Sequence, residues 1–345
     1  MRIHRILIVG LGSIGLRHLR IAREKFPQAE INILRHQVTD SAIEFANGTL
    51  NTIEEAIRFS PQIAVIANPS SHHIPIAQAL AEIGTHLLVE KPMSSSTADV
   101  STLIKTCEAN KSSLKIGYNL RFSPALQFFR DRLGEGIIGE VLSIRCEVGQ
   151  YLPTWRPDSD YRIGVSAREE LGGGVLLELS HELDYLQWIF GDIDWVSATL
   201  SRQSSLEINV EDSAHLTLGF SSDKKCQQLI GTLNMDFIRH DRTRFCLVIG
   251  NLGSLRWDGV GEEVSIFEEG ATTWKKLFTH TPIKDQTYFA EWGDFINSIY
   301  TGSSSLATGQ DGLRTLEIIE AARNSASKGV RMRVSESQNA KRSNL

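Results

Sequence analysis

A histidine between two acids is the group in this sequence best suited to proton transfer. Glu178, His181 and Asp184 follow one another at three-residue intervals, and leucines occupy most positions between and around them. In a helix this spacing places the three polar side chains on one face. Because unpaired charges are costly to bury, we interpret the trio as one wall of an active site. His181 would exchange a proton near neutral pH, and Asp184 would orient its ring.

A histidine with two carboxylates could also ligate zinc or iron. The three residues belong to a single segment, however, and the segment lacks a second histidine at ligand spacing. The four cysteines, Cys107, Cys146, Cys226 and Cys246, contain no C-x-x-C pair and have no histidine at ligand spacing. We therefore predict no metal and read the cysteines as reduced thiols.

A glycine-rich turn near the start carries the second kind of chemistry. Gly10, Gly12 and Gly15 form a G-x-G-x-x-G pattern with Ser13 and Ile14, between an apolar run and a helical pattern. In this context Gly10 permits a tight turn, Gly12 lets the backbone approach a pyrophosphate, and Gly15 allows close helix packing. The free amides at the helix start attract the phosphates. The alternative is a glycine turn without a ligand.

The residue that selects between NAD and NADP is expected about 20 positions further on, at the end of the second strand. Counting from Gly15 leads to Arg35, followed by His36, with no acid before Asp40. A guanidinium there suits the 2′-phosphate of NADP. We therefore expect a preference for NADP, with NAD as the alternative if Arg35 is an ordinary solvated strand end.

A lysine at a strand end is the third chemical group. The apolar run His86–Glu90 ends in Lys91-Pro92, which places the amine at the carboxyl edge of a parallel sheet. Pro92 restricts Lys91 to extended geometry and so limits where the amine points. The alternative is a surface lysine at the end of a strand.

These groups need a scaffold, and the first 120 residues alternate β-branched runs with helical patterns, which is typical of a parallel sheet covered on both faces. The predicted strands are Arg5–Val9, Ile31–Leu34, Ile63–Ala67, His86–Glu90 and Leu114–Tyr118. The predicted helices are Ser13–Lys25, Thr52–Phe59, Ile74–Ile83 and about Thr97 to Asn110. The pattern predicts a doubly wound α/β nucleotide-binding domain over residues 1–120.

Past residue 120, runs separated mainly by turns indicate an α+β domain with a large, mainly antiparallel open sheet over residues 121–330. Its predicted strands are Val141–Val148, Trp195–Ser201, Ala214–Phe220, Leu229–Met235, Arg244–Ile249 and Val264–Phe267. Its predicted helices are Val175–Phe190, Tyr288–Tyr300 and Gly312–Lys328. Residues 331–345 are polar and are expected to form a frayed tail.

Aromatic and basic residues of this second half could bind a substrate. Asn119 and Arg121 lie where the chain leaves the first domain, and Trp155, Arg156 and Tyr161 lie in a loop. Sugars pack their C–H faces on aromatic rings and hydrogen-bond through their hydroxyls. The arginines, with Arg162, would also suit a carboxylate or phosphate, although any of them can be an ordinary surface residue.

Composition excludes several other classes of function. The formal net charge is −5, from 36 basic and 41 acidic side chains without a basic block, which disfavours a nucleic-acid partner. No apolar run approaches the roughly 18 residues of a transmembrane helix, and the start lacks the pattern of a secretory signal. We expect a cytoplasmic protein without a membrane partner.

Together these motifs resemble the Gfo/Idh/MocA family of sugar-type oxidoreductases. The resemblance rests on the glycine turn, the Glu-Lys-Pro turn at 90–92 and Ala67-Asn68-Pro69 with His73. It continues through Gly117-Tyr118-Asn119, Gly172-Gly173-Gly174 and the Asp311-Gly312-Leu313 helix, and so covers nearly residues 3–330.

The resemblance implies a role for several of these residues. Lys91, with Glu90, would lie beside the nicotinamide ribose and the substrate hydroxyl, and Asn68, Pro69 and His73 would line the cofactor, although His73 is equally plausible as a packing residue. Glu178 and His181 match the family's acid and histidine imperfectly, since the acid is Glu rather than Asp and stands three residues before the histidine instead of four. A homodimer or homotetramer is also implied.

The activity expected from this resemblance is hydride transfer between NAD(P) and a secondary alcohol or ketone of a sugar. A nucleotide-linked or acidic sugar is one form that the substrate could take. The local motifs look like the branch associated with bacterial surface-sugar biosynthesis. Two alternatives stay open. One is an NAD-dependent glycoside hydrolase of the same family, whose members usually carry an export signal. The other is a cofactor-sensing regulator without catalysis, a group that generally departs from the lysine of this turn.

Overall fold

The computed structural model describes residues 2–35, 43–221 and 228–334. In chain order the strands and helices of the first part are β1 (Arg5–Val9), α1 (Ser13–Lys25), β2 (Glu30–Leu34), β3 (Gly48–Leu50), α2 (Ile53–Phe59), β4 (Ile63–Ile66), α3 (His73–Glu82), β5 (His86–Val89), α4 (Val100–Ala109), β6 (Leu114–Ile116) and α5 (Pro124–Gly134). They are followed by β7 (Val141–Gly149), α6 (Val175–Glu178), α7 (His181–Phe190), β8 (Ile193–Ser201), β9 (Ser213–Phe220), β10 (Ile230–Asp236), β11 (Thr243–Gly250), β12 (Gly253–Asp258), β13 (Glu263–Glu268), β14 (Lys275–Thr279), α8 (Gln286–Thr301), α9 (Gly309–Lys328) and β15 (Met332–Arg333).

The chain divides into two compact units, each built from separate stretches of sequence. The first unit contains residues 1–123, 163–173 and 281–316, and the second contains 124–162, 174–280 and 317–345. Helix α8, although late in the sequence, therefore belongs to the unit that holds the glycine turn.

The first unit is built on a six-stranded parallel sheet in the order β3-β2-β1-β4-β5-β6. The apolar runs of β1, β2, β4 and β5 are buried because helices cover the sheet. Trp292 and Phe295 of α8 pack into the same core as Ile6, Leu19 and Val65. The predicted parallel fold is confirmed, and the predicted strands agree with the observed ones to within two residues.

The second unit is built on a nine-stranded, mainly antiparallel sheet in the order β14-β13-β12-β11-β7-β10-β9-β8-β15. One pair, β7 with β10, is parallel. Burial alternates along β10 and β12, as expected for a sheet that packs one face on a core. The predicted open sheet is confirmed.

Several elements differ from the sequence prediction. The short strand β3, the helix α5 and the strands β12 and β14 were not predicted; β14 is an edge strand with two exposed lysines and one partner strand, so its apolar signal is weak. Helix α4 begins at Val100 rather than Thr97, because Asp99 has a left-handed backbone (φ +58°). Met332 and Arg333, predicted to be frayed, pair with Val196 and Trp195, and 335–345 lie outside the described residues.

Three of the four cysteines are buried and form no disulfide, and Cys226 lies outside the described residues. No helix in the described parts of the chain is long and apolar enough to cross a membrane.

Candidate active site

The glycine turn at the end of β1 owes its shape to close contacts. Gly10 has a φ of +86°, and a Cβ atom there would lie 2.9 Å from the carbonyl oxygen of Ala67 and the amide nitrogen of Asn68. A Cβ on Gly15 would lie 2.3 Å from the carbonyl oxygen of Gly10. Both positions therefore require glycine, because the backbone following β4 and the first turn of α1 approach the glycine turn so closely.

Gly12 differs from its two neighbours, because a Cβ atom there would meet nothing within 4 Å. Gly12 is the residue before α1, whose first turn carries no acid and receives no side-chain cap. Ser13 is exposed and Ile14 half-buried, and amides of a first helical turn have no acceptor within the helix. The open backbone beside these amides fits an anionic group such as a pyrophosphate.

Arg35 directly follows β2, and its amide donates to the carbonyl of Leu50 at 3.1 Å. Its side chain is half-buried. His36 and Asp40, the next residues considered for the choice of cofactor, lie outside the described residues.

The segment after β4 forms a compact turn closed by His73. The Nε2 atom of His73 lies 2.7 Å from the carbonyl oxygen of Asn68, so it is the donor and the other ring nitrogen, Nδ1, is an acceptor. The ring is 1% exposed. Burial lowers the pKa of His73, against the opposing effects of the Asn68 carbonyl, the Glu90 charge and the backbone of Met93 and Pro92. The ring thus lies between its own turn, which contains Pro69, and the Glu-Lys-Pro turn.

Glu90 is the central residue of the Glu-Lys-Pro turn. Its side chain is 6% exposed and folds back so that Oε2 accepts the Lys91 amide at 3.1 Å, while Oε1 lies 2.7 Å from Nε2 of His18 on α1. The Lys91-Pro92 peptide bond is cis, and Lys91 is half-buried. The carboxylate thus ties the backbone of Lys91 to α1.

Gly117 provides the space that Glu90 occupies. A Cβ atom at position 117 would lie 3.0 Å from the Glu90 Oε2 atom and 3.1 Å from its Cα atom. The Gly117 amide donates to the carbonyl of Val89 at 2.8 Å. A glycine therefore fits after β6, because a side chain there would crowd Glu90 of the neighbouring turn.

These contacts bring three predicted segments to one edge of the parallel sheet. The glycine turn follows β1, the Asn68 turn follows β4 and the Glu90-Lys91 turn follows β5, and these strands are neighbours in the sheet. The strand order reverses direction between β1 and β4, which is where ligands bind in sheets of this type. The three turns at this edge could therefore form the crevice for a dinucleotide cofactor.

In the second unit, the proposed polar trio does not lie on one continuous helix. α6 ends at Glu178 and α7 begins at His181. Between them, the Ser180 amide donates to the carbonyl of Leu177 in a tighter turn. The backbone of Leu179 departs from α-helical geometry (φ −101°, ψ 26°). The predicted single helix over 175–190 is therefore wrong, and the face argument based on its spacing fails across the break.

Burial also separates the members of the trio. Asp184 is 1% exposed, whereas Glu178 and His181 are half-buried. Gly174 immediately precedes α6. A Cβ atom there would clash with the Glu211 carboxylate at 2.5 Å, and that carboxylate accepts the Leu176 amide. The last glycine of the triple-glycine segment thus makes room for the acid that binds the start of α6.

Asn119 and Arg121, predicted to contact substrate, are buried in the first unit. The Asn119 amide group donates to the Thr287 hydroxyl at 2.8 Å. Arg121 is 3% exposed, donates to the Leu306 carbonyl at 2.6 Å and pairs with Asp311 at 3.5 Å. These partners tie the 119–122 turn to α8 and α9, which is a structural role for both side chains.

The loop between β7 and α6 in the second unit carries the other predicted substrate residues. Trp155 donates from its ring N–H to the Gln150 carbonyl at 3.0 Å and packs edge-on against Phe237, while Arg156 is exposed. The Tyr161 hydroxyl accepts the Glu207 amide at 3.3 Å. Arg162 is paired with Asp160 and Glu207, so two acids balance its charge.

An open cavity of about 720 Å³ adjoins this loop within the second unit. Its lining includes Tyr151, Asp160, Tyr161, Arg162, Ser205 and Glu207. A wall of two phenol rings and several acids suits hydroxyl groups better than an anion.

Four buried charged or polar residues were not identified from the sequence. Lys115, 0% exposed, pairs with Asp294 at 2.6 Å, and Glu182, also 0% exposed, accepts from Arg244 at 2.7 Å. His18 and Glu291 are equally buried. The available signal was a charged residue inside an apolar run, as in Leu114-Lys115-Ile116, but such a pattern does not reveal the partner.

Comparison with known proteins agrees with this geometry. The family described as an oxidoreductase family with an NAD-binding Rossmann fold matches residues 4–118, and its C-terminal alpha/beta domain matches residues 130–334. The rhizopine catabolism protein MocA of Rhizobium meliloti is 25% identical over 341 residues, covering 92% of this chain and 93% of that protein.

Two solved structures share the fold over nearly their whole length. Levoglucosan dehydrogenase in complex with NADH has a TM-score of 0.84 at 20% identity, covering 96% of this chain and 99% of that chain. The WlbA dehydrogenase of Bordetella pertussis, in complex with NADH and UDP-GlcNAcA, has a TM-score of 0.79 at 21% identity, covering 97% and 100%. Since the two family matches together span most of the sequence, the chain belongs to the Gfo/Idh/MocA family of NAD(P)-binding oxidoreductases.

Proposed function

We propose that this protein is an NAD(P)-dependent dehydrogenase or reductase that acts on a secondary alcohol or ketone of a sugar or sugar derivative. The observation that carries the proposal is the meeting of the glycine turn, the Asn68 turn and the Glu90-Lys91 turn at the carboxyl ends of β1, β4 and β5. A regulator that only senses a cofactor has no need of a lysine at this place.

The cofactor would be held mainly by backbone. Gly10, Gly12 and Gly15 would let the pyrophosphate approach the amides of Ser13 and Ile14, since Gly12 faces open space. Asn68, Pro69, Glu90 and Lys91 would line the next part of the crevice. His73 would support the Asn68 turn without touching the cofactor, because its ring is buried and its Nε2 atom is hydrogen-bonded to the Asn68 carbonyl.

The reaction requires a hydride and a proton to leave the same carbinol. A bound nicotinamide accepts or returns the hydride. We propose Lys91 or His181 as the group that exchanges the hydroxyl proton. Asp184 is buried one turn after His181 and would orient it, and Glu178 would contribute from α6. By aligning the carbinol and excluding water, the surrounding residues would lower the barrier.

The substrate class follows from the second unit and the relatives. Trp155, Arg156 and Tyr161 lie in one loop. Tyr161 lines the open cavity beside that loop, together with Asp160 and Glu207, and rings beside acids suit the hydroxyl groups of a sugar. One structural neighbour is a levoglucosan dehydrogenase, and another is described with UDP-GlcNAcA. We propose Trp155 and Tyr161 as sugar contacts and Arg156 as the contact to an acidic group, and we leave Asn119 and Arg121 as supports of their turn.

Four further assignments belong to the proposal. Arg35 at the end of β2 favours NADP over NAD. Nucleotide binding is assigned to the domain predicted over residues 1–120 and substrate binding to that predicted over 121–330, although 163–173 and 281–316 belong to the first compact unit. The open sheet of the second unit offers a face for a homodimer or homotetramer. A cytoplasmic place of action is part of the same proposal.

The test is a panel of neutral, acidic and nucleotide-linked sugars, each assayed with NAD and with NADP for a change in nicotinamide absorbance. The expected result is turnover with at least one sugar and either coenzyme. Coenzyme binding without turnover of any sugar or sugar ketone would favour a sensing role, and release of free sugar without added coenzyme would favour glycoside cleavage.

A further inference from the structure

A second carboxyl group lies behind the Glu90-Lys91 turn and has no role in the proposed reaction. Glu291 of α8 is 0% exposed. Neither of its carboxyl oxygens has a hydrogen-bond partner among the residues that the structure describes. One of its oxygens, one oxygen of Glu90 and a ring nitrogen of His18 all lie within 4.8 Å of one another. Two buried acids thus face each other beside a histidine.

The hydrogen bonds of His18 decide between a metal ion and a proton at this cluster. The indole N–H of Trp292 can only donate, and it points at Nδ1 of His18 at 2.9 Å. Nδ1 is therefore an acceptor, and in a neutral ring the hydrogen is on Nε2. That hydrogen is donated to Glu90 at 2.7 Å. No lone pair is left on the ring to bind a metal ion. The cluster is therefore suited to hold a proton rather than a metal.

Burial and the neighbouring acids oppose the ionisation of Glu291. Glu90 and Asp294 are acids, Lys115 is a base already paired with Asp294, and Tyr288 and His18 present neutral rings. Burial raises the pKa of Glu291 well above its usual value, the Glu90 charge raises it further, and Lys115 only partly offsets them. An unpaired carboxylate in such a place is costly, whereas a neutral carboxylic acid is tolerated.

We propose that Glu291 carries a proton at neutral pH and is a positioning residue for Lys91, acting through Glu90. The uncharged acid leaves Glu90 as the single negative charge of the pair. Glu90 can then accept both the His18 ring N–H and the Lys91 amide. The part of this inference that concerns catalysis rests on the function proposed for Lys91.

Loss of the Glu291 proton would disturb this arrangement. Two carboxylates less than 5 Å apart in a poorly solvated space repel strongly. One of them must turn away, and Glu90 has no free direction on the side of Gly117, where its carboxylate already fills the space of a missing side chain. Repulsion that displaces Glu90 would break the hydrogen bonds that it accepts from the His18 ring and the Lys91 amide, so turnover is expected to fall at alkaline pH.

The proton can be tested without any substrate, through the pH dependence of unfolding. A folded state that holds a proton the unfolded chain releases loses stability as the pH rises. Urea unfolding is compared between the parent protein and Glu291→Gln, which is permanently neutral, from pH 5 to pH 7. We expect the ratio of the two unfolding equilibrium constants to grow about tenfold for each pH unit.

The matched control is Glu24→Gln, an exposed acid on α1, for which the ratio is expected to stay constant. A constant ratio for Glu291→Gln as well would show that Glu291 is ionised in the folded protein, and would overturn the inference. This outcome is independent of coenzyme binding or turnover, so it is distinguishable from a failure of the proposed function.

The positioning role has its own readout, the pH profile of turnover with a sugar found in the panel. Above the pKa of Glu291, the parent is expected to lose about tenfold in turnover per pH unit, whereas Glu291→Gln is expected to lack this alkaline fall. Coenzyme affinity, measured by fluorescence titration, is expected to change less than about threefold. If turnover falls at the same alkaline pH in both proteins, the positioning role is refuted.

Discussion

The two units hold their charged residues in different ways. In the first unit, the groups at the carboxyl edge of the sheet are bound to one another: Glu90 joins His18 to the backbone of Lys91, and His73 joins two turns. In the second unit, the loop that carries Arg156 and Tyr161 is largely exposed, and the ion pair of buried Glu182 with half-buried Arg244 lies away from it in the sequence. The proposed cofactor side is thus built from a hydrogen-bonded network, and the proposed substrate loop from an exposed surface that can vary with little cost to the fold.

The largest effect is expected from the residue that the network positions. Lys91→Ala should lower turnover about 1,000-fold, since a proton-transfer group contributes on this scale, while coenzyme affinity stays within about threefold. Stopped-flow turnover and fluorescence titration give the two values. Lys105→Ala, on the exposed side of α4, is the control. Turnover within tenfold of the parent would remove Lys91 from the mechanism.

The ion pair of the second unit provides a matched test of structure without catalysis. Arg244→Met leaves the fully buried Glu182 without this cation, and should cost about 3 kcal/mol in the free energy of unfolding. The double variant Glu182→Met with Arg244→Met should recover most of the loss, because it also removes the carboxylate that the single variant leaves without this cation. Urea denaturation measures both, and Arg256→Met on the neighbouring strand is the control. Equal losses in the single and double variants would contradict this account.

The glycine turn allows stability and binding to be separated. Gly15→Ala places a Cβ atom 2.3 Å from the Gly10 carbonyl and should cost about 1–3 kcal/mol. Gly12→Ala meets no atom of the protein, so its stability should change by less than about 1 kcal/mol while coenzyme affinity falls about tenfold. Thermal melting and titration distinguish the two. Normal coenzyme affinity in Gly12→Ala would place the pyrophosphate elsewhere.

A smaller effect is expected at the other end of the cofactor crevice. Arg35→Ala should weaken NADP binding about tenfold and leave NAD binding unchanged, because the guanidinium binds only the additional phosphate. Isothermal titration with both coenzymes measures the difference. Arg58→Ala, exposed at the end of α2, serves as control. If both coenzymes weaken equally, or if NAD binds the parent at least as well as NADP, Arg35 does not select the cofactor.

The smallest effect is expected in the exposed loop. Arg156→Ala should raise the Michaelis constant for an acidic sugar about fivefold, with little change in the maximal rate, since an exposed ion pair contributes about 1 kcal/mol at most. The corresponding neutral sugar is the control substrate, and its constant should not change. An effect of the same size on both sugars would show that Arg156 supports the loop rather than binding an acid.

Much of the first unit was predictable, because its signals are local. The run from Arg5 to Gly15 contains strand, turn and helix start in order, and the steric reasons for Gly10 and Gly15 match the pattern. The break between Glu178 and His181 was not predictable from spacing, because periodicity counts residues and does not register a tight turn such as that at Ser180. The partners of Arg121, Leu306 and Asp311, could not be predicted either, because they lie about 190 positions away.

The sequence by itself determined most of the strands and helices, the parallel sheet with its glycine turn, and the types of residue that can transfer a proton. These depend on periodicity and on the conformational range of glycine and proline, which act over a few neighbouring residues. Only the tertiary structure decided that Glu90 binds His18 and the Lys91 backbone, that Gly117 makes room for it, and that Glu291 faces it from α8. The reason is that pairing of buried charges depends on distances between segments far apart in the chain, and those distances are set by how the helices pack on the sheet.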